Sequence, residues 1–185
     1  MHKSGSIVVI TGPSGGGKTT LAGLLVAGHP HITKVVTCTT RPPRPGEVNG
    51  EDYIFLSHEE FSDRLAKGEF LEHATVYGQS YGTLKQSILD KTSKGHIALM
   101  VMDIQGARFI KKQNICPTVV VFLSVDIEVL KDRLTKRGKD EAITINRRLS
   151  IAKQEMETAH EFDHILHSGT PAEDFRQIEA LLQLK

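Results

Sequence analysis

The sequence has little cysteine: two thiols, Cys38 and Cys116, in 185 residues. Two cysteines make no disulfide framework, and their spacing matches no zinc pattern, so both are expected to be small buried hydrophobes in a reducing cytoplasm. Long apolar runs are missing too. The longest, "IALMVM" at 97–102, is far too short to span a bilayer, and the opening "MHKSGSIVVI" lacks the apolar stretch of a secretory signal. The expectation is a cytoplasmic protein with no membrane partner. An excess of one charge is absent as well, since 23 Lys and Arg stand against 22 Asp and Glu, a formal charge of +1. No global field recruits nucleic acid, and any cationic function must come from local clusters. Neither an internal repeat nor a low-complexity tract occurs. What is present is globular: 39% hydrophobic and 24% charged residues, in a chain the size of one domain and able to bury a core.

β-rich runs alternate with helical patterns, which predicts an α/β fold with a parallel sheet between helices. "SIVVIT" (6–11) reads as a buried strand running through a Gly-rich turn into a helix that starts near Lys18. "HIALMVMD" (96–103) and "TVVVFLSV" (118–125) are two more apolar strands, and "DHIL" (163–166) a short fourth. Their continuous apolarity means that both sheet faces are covered. Ser57 with Glu60 and Thr170 with Glu173 fit the capping box, the second with Pro171 at the first helical position. Residues 35–92 break the rhythm: "DYIFL" and "EFLEHATVYG" look like short antiparallel strands around the helix from Ser57, an insertion with its own small sheet. "KDRLTKRGKDEAITINRRL" (131–149) looks like two helices joined at Gly138, solvated and mobile. The expected division is core at 1–34, insertion at 35–92, core at 93–125, a helical element at 126–150 and core at 151–185, in one folded unit.

"GPSGGGKT", Gly12, Pro13, Ser14, Gly15, Gly16, Gly17, Lys18 and Thr19, satisfies G-x-x-x-x-G-K-[ST] between a strand and a helix, as the P-loop requires. Glycines let successive backbone N–H groups converge on phosphate oxygens, and the helix N-terminus adds partial positive charge. Lys18 then reaches the β- and γ-phosphates, Thr19 can ligate Mg²⁺, and Thr20 completes the nucleotide-binding set. Such a site also wants an acid at the end of a neighbouring strand to hold the metal through water, and Asp103, ending "HIALMVMD", is the candidate.

"TTRPPRPGEVNGEDY" (39–53) has the composition of a linker, yet Pro42, Pro43 and Pro45 limit the backbone around Arg41 and Arg44. Two guanidinium groups held this way suit a multidentate anion such as a monophosphate, and Tyr53 and Tyr81 can add hydroxyl donors. The P-loop, "TCTTRPPRPGEVNGEDYIF", "FLEHATVYGQSYGT" and "MDIQGA", in this order and spacing, resemble a guanylate kinase of the nucleoside monophosphate kinase class, over about residues 5–184.

The resemblance implies transfer of the γ-phosphoryl group of ATP, with Mg²⁺, to GMP or dGMP. It implies that Arg41, Arg44, Tyr53 and Tyr81 grip the acceptor phosphate, that Glu72 accepts from guanine N1–H and NH₂, and that Thr37 and Thr83 help to read the base. Arg133, Arg137 and Arg148 match the family's lid arginines, which with Lys18 surround the transferring group, and Asp103 lies on the acceptor side. A P-loop core, an inserted acceptor-binding region and a lid follow as the architecture. Two departures stand out. Val101 occupies the first acidic place of the family's D-x-D, which implies a slower enzyme or an altered acceptor, and Ser168 stands where an Asn is frequent near the adenine. A module that binds phosphorylated partners without catalysis is the alternative from another class. "HEFDH" (160–164) formally matches the zinc signature H-E-x-x-H, but "DHIL" reads as a strand, so the helix is expected to end between the histidines. Oligomeric state is open.

Overall fold

A strand apolar at every position belongs where both faces of a sheet are covered. In the computed structural model, which describes residues 5–76, 78–113, 115–136 and 142–184, β1 (Ile7–Thr11) is buried throughout and holds the centre of the sheet. It pairs in parallel with β7 (Ile97–Val101) on one side and β8 (Thr118–Ser124) on the other. β2 (Ile32–Lys34) extends the first side and β9 (His164–His167) the second, both parallel, which gives the order β2-β7-β1-β8-β9.

Alternation along these strands builds two apolar layers. Val8, Ile10, Leu99 and Val121 pack against Leu21 and Leu25 of α1 (Lys18–Gly28) and against Ile178 and Leu182 of α7 (Pro171–Leu182). Ile7, Val9, Met100 and Phe122 face the other way, onto Ile88 of α3 (Lys85–Thr92) and Ile104, Ala107 and Ile110 of α4 (Ile104–Gln113). Each fully buried Leu or Ile contributes about 1.5–3 kcal/mol of transfer free energy, so this sandwich is the rigid base on which the strand ends stand. Both capping boxes form: the Glu60 N–H reaches Ser57 Oγ at 3.0 Å and the Glu173 N–H reaches Thr170 Oγ1 at 3.3 Å.

A second sheet, in the order β4-β3-β6-β5, is made of β3 (Cys38–Thr39), β4 (Ile54–Phe55), β5 (Phe70–Val76) and β6 (Gln79–Leu84). β5 and β6 are antiparallel, and so are β3 and β6, but β4 runs parallel to β3. This corrects the expectation for "DYIFL". The Pro-rich stretch between β3 and β4 carries the chain back to the end at which β3 begins, as a hairpin would not. α2 (His58–Ala66) closes this sheet, with Phe61 stacked on Phe70 at 4.3 Å over Cys38. β2 escaped the sequence reading because it is a short edge strand with a single buried residue, Ile32.

α5 (Ile127–Lys136) and α6 (Ala142–Glu157) pack through Leu130, Leu134, Leu149 and Ala152 around Val125. Gly138, the expected joint, lies outside the described residues, and α6 runs unbroken past residue 150. The "HEFDH" histidines fall in different elements, His160 in a 3₁₀ turn (Ala159–Glu161) and His164 at the start of β9, so their rings share no helix face.

Candidate active site

β1 delivers the chain to the Gly-rich loop, whose first residue must be glycine. Gly12 has φ 132°, and a Cβ there would stand 2.4 Å from the Leu123 carbonyl oxygen. The loop bends back on itself, with the Gly16 N–H on the Pro13 carbonyl at 3.1 Å, and ends at the N-terminus of α1. Lys18 Nζ donates to the Gly12 and Pro13 carbonyls at 2.7 and 2.9 Å. Burial pulls its pKa below the usual lysine range, while Glu155 and Asp103 pull the other way. Thr19 and Thr20 are exposed on the first turn of α1. A half-buried ammonium on a Gly-rich turn that ends in a helix N-terminus is the chemistry that receives a polyphosphate.

The register Ile10↔Val101 sets the end of β7 beside the end of β1, where that loop begins. Asp103 lies two residues beyond that strand end. Its Oδ1 accepts the Gly106 N–H at 2.8 Å, so the residue caps α4 while its charge is felt by Lys18. Glu155, on α6, is the third member of this electrostatic group. Ala152, one turn before it, packs near Val125 in the cluster beside the loop. Burial pushes the Glu155 carboxyl up, Lys18 draws it down, and Asp103 adds to the rise. Nothing in the sequence distinguished Glu155 from an ordinary helix charge.

A cavity of about 810 Å³ opens on the other side of Asp103, lined among others by Thr37, Tyr53, Glu72, Tyr81, Val101 and Asp103. Glu72 of β5 stands opposite Thr83 of β6, and the buried Thr83 hydroxyl donates to Glu72 Oε1 at 2.7 Å. Burial raises the Glu72 pKa; the Thr83 bond opposes this and the Asp103 charge adds to it. A carboxylate with one oxygen already oriented can receive two adjacent N–H donors from a flat base. Val101 lines the same cavity as Asp103, so the strand end presents one carboxylate there.

Beside Tyr53, which lines this cavity, the Arg41 guanidinium is held from several sides. Nη2 bonds both oxygens of Glu47 at 2.8 and 2.9 Å, Nη1 donates to the Pro42 carbonyl at 2.6 Å, and the group lies 5.4 Å from the Tyr53 ring centre. Tyr53 and Tyr81 meet edge to face at 6.2 Å. The Arg44 backbone N–H also bonds Glu47, at 2.7 Å, and holds that carboxyl below the usual range together with Arg41. Glu47 was missed by the sequence reading, where it counted only as one acid of a polar stretch.

The three arginines assigned by resemblance are not equivalent. Arg133 reaches from α5 to the Gly16 and Gly169 carbonyls, both at 2.9 Å, and to Ser168 Oγ at 3.3 and 3.4 Å. Its donors therefore tie the Gly-rich loop to the segment between β9 and α7. It also borders a smaller cavity of about 330 Å³, lined by Gly15, Gly17, Thr20, Lys136, Pro171 and Asp174 in addition. Arg148 is half-buried on α6, and Arg137 lies outside the described residues.

Comparison with known proteins agrees with this geometry. The family model described as guanylate kinase matches residues 4–184. A curated guanylate kinase of Nostoc sp. is 42% identical over 160 residues, 86% of this chain and 80% of its own length. That of Clostridioides difficile is 37% identical over 182 residues, 97% of this chain and 88% of its own length. The crystal structure of guanylate kinase from Anaplasma phagocytophilum superposes with a TM-score of 0.74 at 30% identity, covering 97% of this chain and 85% of that one.

Proposed function

The chain belongs to the guanylate kinase family and is an ATP:GMP phosphotransferase, and from that premise we propose how its residues divide the work. The carrying observation is the place of Asp103. It stands at the end of β7 beside the Gly-rich loop and lines the larger cavity, and its charge is felt by both Lys18 and Glu72. Donor and acceptor sites thus meet at one carboxylate.

In this reading Gly12, Pro13, Ser14, Gly15, Gly16, Gly17, Lys18, Thr19 and Thr20 cradle the ATP phosphates, with Lys18 exchanging its Gly12 and Pro13 carbonyls for phosphate oxygens. Arg41, Arg44, Tyr53 and Tyr81 hold the GMP phosphate. Glu47 holds the Arg41 guanidinium in place before GMP arrives, which lowers the ordering cost of binding. Glu72, oriented by Thr83, accepts from guanine N1–H and NH₂ and repels the N1 lone pair of adenine; Thr37 lines the same wall. Thr19 and Asp103 offer the hard oxygen donors that Mg²⁺ requires, Asp103 through water. When bound with ATP, the ion supplies positive charge to the β- and γ-phosphate oxygens. Arg148 and Arg137 add cations to the transferring group as the α5 and α6 region closes, and closure keeps water from the phosphoryl group. The two free thiols, one of them buried, suit a reducing cytoplasm, and no described helix is long and apolar enough to cross a membrane.

The test is ADP release from ATP and Mg²⁺ with GMP, dGMP, AMP, CMP, UMP and dTMP in turn. Turnover with guanine nucleotides, lost selectively in Glu72→Gln, is the expected result. Preference for any other base overturns the role of Glu72.

A further inference from the structure

The smaller cavity lies between the Gly-rich loop and α7, next to the site proposed for the ATP phosphates, and one of its walls carries a buried charge. Asp174, in the first turn of α7, is 6% exposed and lines this cavity with Arg133 and Pro171. Its two oxygens each hold one protein donor, the Gly169 N–H on Oδ1 at 2.7 Å and the Ser168 hydroxyl on Oδ2 at 2.9 Å. Arg133 fixes the polarity of the neighbours. It donates to Ser168 Oγ and to the Gly169 carbonyl, so the one hydroxyl proton of Ser168 is committed to Asp174. Ser168 therefore has no proton left for a ligand. Each Asp174 oxygen keeps acceptor capacity, since a carboxylate oxygen takes more than one hydrogen bond. At Asp174 the wall offers acceptors, and the donors of this cavity belong to Thr20, Arg133 and Lys136.

We propose that Asp174 reads the exocyclic amine of the donor base, and so sets the preference for an aminopurine triphosphate over one that carries a carbonyl at the same place. The 6-amino group of adenine donates to the carboxylate; the 6-oxo group of hypoxanthine meets it lone pair to lone pair. A polar pocket discriminates strongly in this sense, because the wrong ligand leaves a buried acceptor unpaired. Ser168 and Arg133 serve by holding the carboxylate at the right angle. The inference rests on the donor site proposed above.

The experiment measures kcat and KM for ATP, ITP and purine riboside triphosphate, all with saturating GMP. The wild type is expected to favour ATP over both others by roughly tenfold or more in kcat/KM. In Asp174→Asn the amide can donate to the 6-oxo group, so the ATP/ITP ratio falls at least tenfold, through the donor KM, while the KM for GMP is unchanged. An unchanged ratio in an active variant shows that Asp174 merely ties the loop before α7. Should that variant not fold, the wild-type panel decides alone: equal use of ATP and purine riboside triphosphate overturns the proposal. Absence of any ADP with ATP and GMP would instead overturn the donor-site reading, so the two failures are distinct.

Discussion

Glu72 shows how one side chain can be set for binding at some expense to its own ionisation. Burial raises its pKa above the ordinary 4.5, and the Thr83 hydroxyl restores part of the preference for the charged form. In the role proposed for Glu72, guanine binding needs the carboxylate, so the KM for GMP is expected to rise as pH falls through the raised pKa, and Glu72→Gln should remove that acid limb. The same substitution should raise the KM for GMP by roughly a hundredfold at neutral pH, the loss of a charged acceptor facing two donors. For folding the sign is opposite. A raised carboxyl pKa contributes stability that is present below 4.5 and lost as pH rises through the folded value. Glu72→Gln should then melt no lower than wild type at pH 7. A pH-independent KM in the wild type, or a variant that loses stability along with affinity, would show that Glu72 is structural. Residues of this kind were partly legible in the sequence. Glu72, Arg41 and the Gly-rich loop lie in segments whose residue types and spacing carry chemistry, whereas Glu47, Glu155 and Asp174 look like helix or turn charges. Only their burial and their partners mark them.

Among the elements, the two capping boxes are matched devices on unequal supports. Ser57 caps α2 over the small sheet, where Phe61 is the buried anchor; Thr170 caps α7, whose Ile178 and Leu182 enter the main core. Each →Ala substitution should cost about 1 kcal/mol. Thr170→Ala is expected to lower global stability in denaturant titration and also to raise the KM for ATP, because the cap holds the first turn that carries Asp174. Ser57→Ala should spare the KM for ATP. Equal effects on that constant would refute the separation. The caps, the apolar strands and the helix after the loop could be read from periodicity and flanking residues. The direction of β4 could not: Ile54 and Phe55 have the same strand propensity in either orientation, and the path of the Pro-rich stretch before them decides.

At the scale of the whole molecule, the proposed sites share a base in the five-stranded sheet but rest on different partners: the second sheet for GMP, α1, α5 and α7 for ATP. Each nucleotide should therefore stabilise the fold by mass action, by about 2.7 kcal/mol at a hundred times its Kd, and raise the melting temperature. Amide exchange in residues 127–136 and 142–150 should slow most when GMP and a non-hydrolysable ATP analogue are both present. Full protection by either ligand alone would rule out closure on the pair. The sequence by itself determined the α/β class, the Gly-rich motif, the Arg-Pro segment proposed to hold the acceptor phosphate and the family resemblance, because each of these depends on neighbours within a short stretch of chain or on unbroken apolar runs. Tertiary structure decided the rest. Asp103 faces two sites because β7 ends beside β1, Arg133 ties two loops because α5 packs over the glycines, and Asp174 becomes a buried acceptor only where α7, the Gly-rich loop and the 168–169 turn meet. These are relations between segments far apart in the chain, fixed by how helices and sheet pack, and no local pattern of residues encodes them.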